Sequence, residues 1–398
     1  MHGFYAGRTN IGRLRVVFVD GSFRDVPISY EAPPYVDPNR IFDRPSILAA
    51  ATAVSKPGFN YFYMKSSFGP VIVDIDGEVR WTLPGLGVAQ SSTFFENAFV
   101  VGAADLTLQR YALDGTVASS PRVGPPDYAN FTHNVEHGKV GILVEVDRGA
   151  NGADHIESTL AEVLPDGTIL KQWDFETIFA DHMRREGDDP STFVRPGVDW
   201  FHMNTAIYDS RDDTLIVSSR ENFVVKIDYQ TGTIVWIFGD PTRYWFAFPS
   251  LRAKALSLTG AALYPSGQHA LSITAGGALM LFDNGQPASN PPPGGATGAF
   301  RPYSGVAAFQ IDPLARTATQ LWRFDHDPAI KAPFCSSAYE AADGSVLVSY
   351  ATADNFAHAR LIGLDSQRRV TFDFQYDTTP CGTSWNAVPL ALERLDYR

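Results

Sequence analysis

Three histidines occupy one position of a repeating pattern. His133 opens Phe131-Thr132-His133-Asn134, His202 lies in Trp200-Phe201-His202-Met203-Asn204, and His269 follows Gly267-Gln268. They are separated by 69 and 67 residues, and a further 68 reaches Ser337. A lone histidine at a strand start is ordinarily structural; three at one repeat position point to a shared site. Imidazole can act there as donor, proton acceptor, nucleophile or metal ligand. Three histidines with an open fourth position are a known zinc arrangement. Two neighbours weigh against zinc. Asn204 stands at i+2 from His202, which on a strand puts both side chains on one face. If the turn at 209–213 is symmetric about Arg211, Arg220 falls opposite His202. A guanidinium beside imidazoles repels a dication and welcomes an oxyanion. The expected site therefore binds an anion through Arg220 and Asn204, uses His133, His202 and His269 for the chemistry, and needs no metal or cofactor.

Positioning such a cluster requires a repeated fold. An apolar strand, an Asp with turn residues and a second strand recur six times, around Asp76-Gly77, Asp114-Gly115, Asp166-Gly167, Asp228 to Gly232, Asp312 and Asp365. Asp-Gly between alternating apolar residues is a hairpin signal. Further strand pairs precede the later hairpins at 132–146, 201–219, 268–282 and 336–349. Two hairpins per repeat make a four-stranded sheet, and six repeats in 398 residues leave long loops at 182–196 and 286–302. The expected fold is all-β, a six-bladed β-propeller over residues 46–398. Its first strands line the central channel, so the histidines converge. Two β-sandwiches are the alternative, but they do not require a repeat. Residues 1–45 read as a hairpin and a Pro-rich link, a small amino-terminal extension. A strand near 388–395 is expected to close the ring.

Composition narrows the classes. Forty-four acidic against 32 basic residues give a net charge of −12, which argues against a nucleic-acid partner. An anionic ligand must then be attracted locally, against the long-range field. No apolar run approaches a membrane span; residues 47–54 are among the longest. The first residues lack the charged head and apolar stretch of a signal peptide. Cys335 and Cys381 have no metal spacing; paired, they would staple two elements, and unpaired they would be buried thiols. Aromatics such as Tyr244, Trp245, Phe246 and Phe248 read first as packing, with an aryl ligand as the alternative reading. Neither cysteine sits in the Cys-x-Pro-x-Arg phrase of a sulfatase. Gly294-Gly295 follows three prolines rather than forming a P-loop. A calcium-dependent propeller would need convergent carboxylates at the repeat positions. A propeller that only binds partners on its rim remains the non-enzymatic alternative.

Asp199-Trp-Phe-His202-Met-Asn204, the strand ending Ser219-Arg220, and Ile-Val-Trp236-Ile-Phe-Gly239 resemble the bacterial arylsulfate sulfotransferases. So do Gln268-His269 with Leu-Met-Leu-Phe282-Asp283-Asn284-Gly285, and the stretch from Tyr303 to Trp322. The resemblance covers about residues 60–395. It implies a six-bladed propeller and ping-pong sulfuryl transfer from a phenolic sulfate ester to a phenol, without a nucleotide donor. By motif, His269 would be the nucleophile, forming a sulfohistidine, and His202, Asn204 and Arg220 would hold the sulfuryl oxygens. His133 departs from the family's His-His-Asp phrase, standing in Thr132-His133-Asn134. The resemblance further implies a periplasmic location, which would suit a Cys335–Cys381 disulfide, and a homodimer.

Overall fold

A computed structural model of the chain describes residues 4–38, 40–43, 45–83 and 91–392. Six sheets follow one another around an axis, antiparallel except where Ser257–Thr259 adds a parallel outer strand to blade five. Blades two, three and four are built from consecutive strands. Blade three runs Tyr128–His137, Ile142–Arg148, His155–Val163 and Ile169–Asp174; blade four runs Met203–Asp209, Thr214–Ser219, Phe223–Asp228 and Ile234–Phe238. Blade five begins at His269–Ile273 and blade six at Ser337–Glu340. The chain is a six-bladed β-propeller.

Both ends of the ring are clasped. Asn386–Leu390 pairs antiparallel with Tyr61–Lys65, becoming the first strand of blade one. The expected closing strand is therefore real, though shorter; residues 393–395 lie outside the described residues. Ser46–Ala49 adds an outer strand to blade six against Val370–Asp377. Before it, Thr9–Val17 and Phe23–Glu31 pair as a separate two-stranded sheet.

All six Asp-turns lie in the hairpin joining the third and fourth strands of a blade. Gly77, Gly115, Gly167 and Gly232 have φ between 70° and 90°, where a side chain would be strained. Each sheet is apolar on both faces because it packs against two neighbours. Among the described residues, six hydrophobic clusters each span one blade–blade junction. Phe62, Val73 and Phe372 hold blade one to blade six, and Phe238, Leu281 and Phe309 hold blade four to blade five.

Two departures from the sequence reading matter. The segment expected to loop from residue 182 begins inside an α-helix, Phe175–Arg185. Asp174 caps it by accepting from the backbone N–H of Glu176 and Thr177. Phe175, Phe179 and Met183 then bury against blade four, so apolar spacing rather than local propensity keeps it helical. The aromatics at 244–248 belong to the same cluster: Trp245 is in its core, and Tyr244, Phe246 and Phe248 pack against it. They are packing residues.

Candidate active site

In blades three, four and five the first strand loses its regular pairing at the histidine or within two residues of it. Phe131 faces Val146, but the ladder resumes only at Val135–Val144, around His133. Met203 faces Ser219 and Thr205 faces Ser218, leaving Asn204 as the extra residue. His269 faces Phe282, and the ladder resumes at Ser272–Met280. Bulges re-aim side chains, and here one recurs in three successive blades. His202 and Ala270 adopt φ of 49° and 48°, a conformation non-glycine residues tolerate only when their surroundings impose it.

The bulge corrects two sequence arguments. His202 precedes the strand at positive φ and Asn204 is the bulged residue, so simple alternation does not relate their side chains. Arg220 does fall opposite His202, donating its backbone N–H to the His202 carbonyl at 3.0 Å. The turn, however, is not centred on Arg211, because Asp209 faces Thr214. The extra residue Asn204 restores the pairing.

The predicted residues come together. The rings of His133 and His202 are 4.8 Å apart, centre to centre. His269 is buried and feels Arg220, His133 and His202 electrostatically. Asn204 donates through Nδ2 to the Gln268 carbonyl at 2.8 Å, next to His269, while its buried Oδ1 has no hydrogen-bond partner. The Arg220 guanidinium donates to Glu221 at 2.6 Å and Ser289 at 3.0 Å; its buried Nε has no partner.

The three imidazoles differ in charge. His269 Nδ1 lies 2.8 Å from Asn284 Oδ1 and 3.2 Å from the Gly267 carbonyl. Asn284 Nδ2 donates to the carbonyls of Ala332 and Cys335 at 2.8 and 3.1 Å, which fixes its Oδ1 as an acceptor. Nδ1 of His269 therefore carries the proton and Nε2 keeps the lone pair. Burial first, and then Arg220 and His133, hold this imidazole well below its ordinary pKa, so it is neutral. His202 is the opposite case. Burial alone would lower it, but Glu157 at 2.8 Å and Asp199 at 2.6 Å from Nδ1 push it up to about 10. It is a cation whose Nε2–H remains available. Burial lowers His133, with Glu157 opposing from 3.4 Å.

Sequence reasoning missed several participants. Asp199 and Asn284 stand inside the quoted motifs, which was the available signal. Glu157 had none. It sits on the third strand of blade three, at φ 46°, where pairing is irregular between Val146 and Arg148. The loop at 286–302 also belongs to the site: Ser289 meets Arg220, and Asn290 donates its backbone N–H to Glu221 at 2.6 Å. Among the described residues, the set able to hold a cation is His133, Glu157 and His202, with ligand atoms within 4.8 Å of one another, not the three histidines. With His202 Nδ1 within 2.8 Å of the Glu157 and Asp199 carboxylates, and Arg220 acting on both His133 and Glu157, the trio reads as an ion-pair cluster.

Because Asn284 decides the tautomer, Asn284→Ala should lower kcat by about tenfold with little change in KM. The Gly267 carbonyl remains as a second acceptor, so the loss stays well short of that from removing the imidazole. Steady-state kinetics on the variant check this, and an unchanged kcat would remove Asn284 from the mechanism.

The chain is 27% identical over 322 residues to an arylsulfate sulfotransferase AssT of Escherichia coli O6:H1 (strain CFT073), covering 64% of this chain and 52% of that protein. It is 26% identical over 208 residues to an arylsulfate sulfotransferase AssT of Lelliottia amnigena, covering 48% and 34%. The chain thus spans about half the length, or less, of these curated relatives. Among solved structures, the β-propeller domain of Cps50 (Swd1) from Myceliophteria thermophila matches with a TM-score of 0.43 at 10% identity, over 80% of this chain and 85% of that one. A sequence model described as arylsulfotransferase (ASST) matches residues 50–385, which is most of the chain. The chain belongs to the arylsulfotransferase family.

Proposed function

We propose that this protein transfers a sulfuryl group from an aryl sulfate to a phenol in two steps, through a sulfohistidine on His269. The observation that carries the reading is the hydrogen bond from His269 Nδ1–H to Asn284, which leaves a neutral, buried Nε2 lone pair beside Arg220. In the first step Nε2 attacks sulfur. The S–O bond to the ring breaks, its electron pair leaves with the phenolate oxygen, and His202 Nε2–H gives that oxygen a proton. In the second step the acceptor phenol returns a proton to His202, its oxygen attacks sulfur, and the S–N bond breaks. Atoms and protons balance, and neither a nucleotide donor nor a cofactor is required.

Sulfuryl transfer, like phosphoryl transfer, has a loose transition state, so positioning and charge supply most of the catalysis. Arg220 offers donors to the sulfuryl oxygens, Asn204 has a further amide N–H, and cationic His202 directs its remaining Nε2–H to the ester oxygen. Each cation already has a carboxylate partner: Glu221 for Arg220, and Asp199 with Glu157 for His202. The site therefore does not present a bare positive charge. It presents oriented donors, and a sulfate monoester must bind by geometry. The reading includes a periplasmic location, supported by the disulfide between Cys335 and Cys381, and the homodimer that the family resemblance implies.

The test is p-nitrophenol release from p-nitrophenyl sulfate, with and without phenol, in the presence of a chelator. Release that depends on phenol and survives chelation is expected. Phenol-independent release would make the protein a hydrolase, and loss with chelator would revive a metal at His133, Glu157 and His202.

A further inference from the structure

The catalytic cluster is mostly buried, so the aryl group must lie where the cluster meets solvent. Phe334 marks that place. It is 42% exposed, and the Arg220 guanidinium lies 5.2 Å from its ring centre. Among the described residues, it is the exposed large apolar side chain that rests on a member of the cluster. The same ring stacks on Phe356, with ring centres 6.1 Å apart and planes 20° from parallel. Across the cluster, the Trp385 ring lies 5.5 Å from that of His133.

These rings are placed by one covalent device. Phe334 immediately precedes Cys335, Trp385 follows Cys381 by four residues, and the two cysteines are bonded. Trp385 packs on the small buried cluster formed by the disulfide and Ala351. Ser336 donates its backbone N–H to the Trp385 carbonyl at 3.1 Å. Cys335 and Ser336 take φ of 52° and 82°, a sharp turn just after Phe334. The same turn supplies the Cys335 carbonyl that orients Asn284 and, through it, His269. One stapled pair of loops thus sets both the nucleophile and the adjoining aromatic rings.

We propose that Phe334 and Trp385 form the aryl subsite, a disulfide-fixed platform that takes the flat ring of the phenolic donor and then of the phenol acceptor. This inference rests on the sulfuryl-transfer reading above. A sulfuryl group held by Arg220 places its ester-linked ring within reach of Phe334, which already bears on that guanidinium. Offset or edge-to-face contact with an aromatic ring rewards a planar apolar ligand. Asp199, Glu157 and Glu221 at the site disfavour acceptors carrying a second negative charge. The expected ligand class is therefore neutral phenols, with larger planar rings bound better than small ones.

The experiment compares phenol with 2-naphthol as acceptors, using p-nitrophenyl sulfate as donor, in wild type, Phe334→Ala, Trp385→Ala and the conservative Phe334→Tyr. Wild type is expected to prefer 2-naphthol in kcat/KM. In Phe334→Ala, KM for both acceptors should rise about tenfold and the preference should collapse, while Phe334→Tyr keeps both. Trp385→Ala should show the same loss of preference in smaller measure. Melting temperatures report on folding, and a preference lost with an unchanged melting temperature supports the platform. Wild type that transfers nothing would overturn the sulfotransferase reading itself. Wild type that transfers, with Phe334→Ala keeping KM within about twofold and the preference intact, would overturn the platform alone.

Discussion

Exchange of His269 for alanine should abolish phenol-dependent p-nitrophenol release, with kcat at least about ten-thousandfold below wild type. The loss should be this large because no neighbouring imidazole can substitute. His202 is protonated at neutral pH, its Nδ1 is held by two carboxylates, and it has no lone pair to offer. His133 is neutral, but its nearest charged group is Glu157, whereas after burial Arg220 acts most strongly on His269. In the proposed mechanism the nucleophile belongs beside the cation that holds the sulfuryl oxygens. The proposed sulfohistidine makes the prediction specific. Wild type incubated with donor and no acceptor should gain the mass of one SO₃ group, located by peptide mapping on His269; the variant should gain none. A label on His133 would reverse the assignment of roles. Added imidazole should partly restore turnover in His269→Ala, since the cavity and Arg220 remain.

The parts of this site legible in the sequence are those set by repetition. Turns opened by an aspartate are short-range chemistry, and six of them, three reading Asp-Gly, expose the blade period directly. Because each first strand enters the channel at the same height, equal spacing of His133, His202 and His269 translates into proximity. Arg220 was reachable by counting along a hairpin, although the count succeeded only because the bulge at Asn204 compensates a turn not centred on Arg211. What was not legible breaks the repeat. Glu157 reaches the cluster from a third strand, through irregular pairing and a positive φ, and no spacing announces that. The 286–302 loop reads as flexible by composition, yet Glu221 and Arg220 tie it down. The pairing of Cys335 with Cys381 depends on two loops meeting in space, 46 residues apart in the chain.

Glu157 carries the second large prediction, because one carboxylate faces both imidazoles. Its oxygens lie 3.4 Å from His133 and 2.8 Å from His202, and its backbone N–H donates to Asp147 at 2.9 Å. Burial would raise its pKa, but His133, His202 and Arg220 together hold it at about 2, so it is charged throughout the working range. Glu145 faces His133 at 3.9 Å, with its carboxyl pushed well up by burial. The same cluster includes Asp147, pushed up to about 6 by burial, and Asp199. Glu157→Gln removes one of the two counter-ions of His202 and keeps the shape. The His202 pKa must then fall from about 10, and the proton that the proposed mechanism passes to the leaving phenolate is lost at lower pH. The basic limb of kcat should move acidward by about one pH unit or more, with activity at pH 9 falling at least about tenfold further than at pH 6.5. Stability gives an independent sign. His202 is raised on folding, so its contribution is full below its ordinary value and is lost as pH rises through about 10. Glu157 is depressed, so its contribution is full above its ordinary value and is lost as pH falls through about 2. The variant should therefore lose most melting temperature between about pH 4.5 and 6.5, where both contributions are complete, and progressively less as pH falls towards about 2 or rises through about 10. A profile merely scaled down, with its basic limb unmoved, would mean that Glu157 braces the blade without setting the charge of His202.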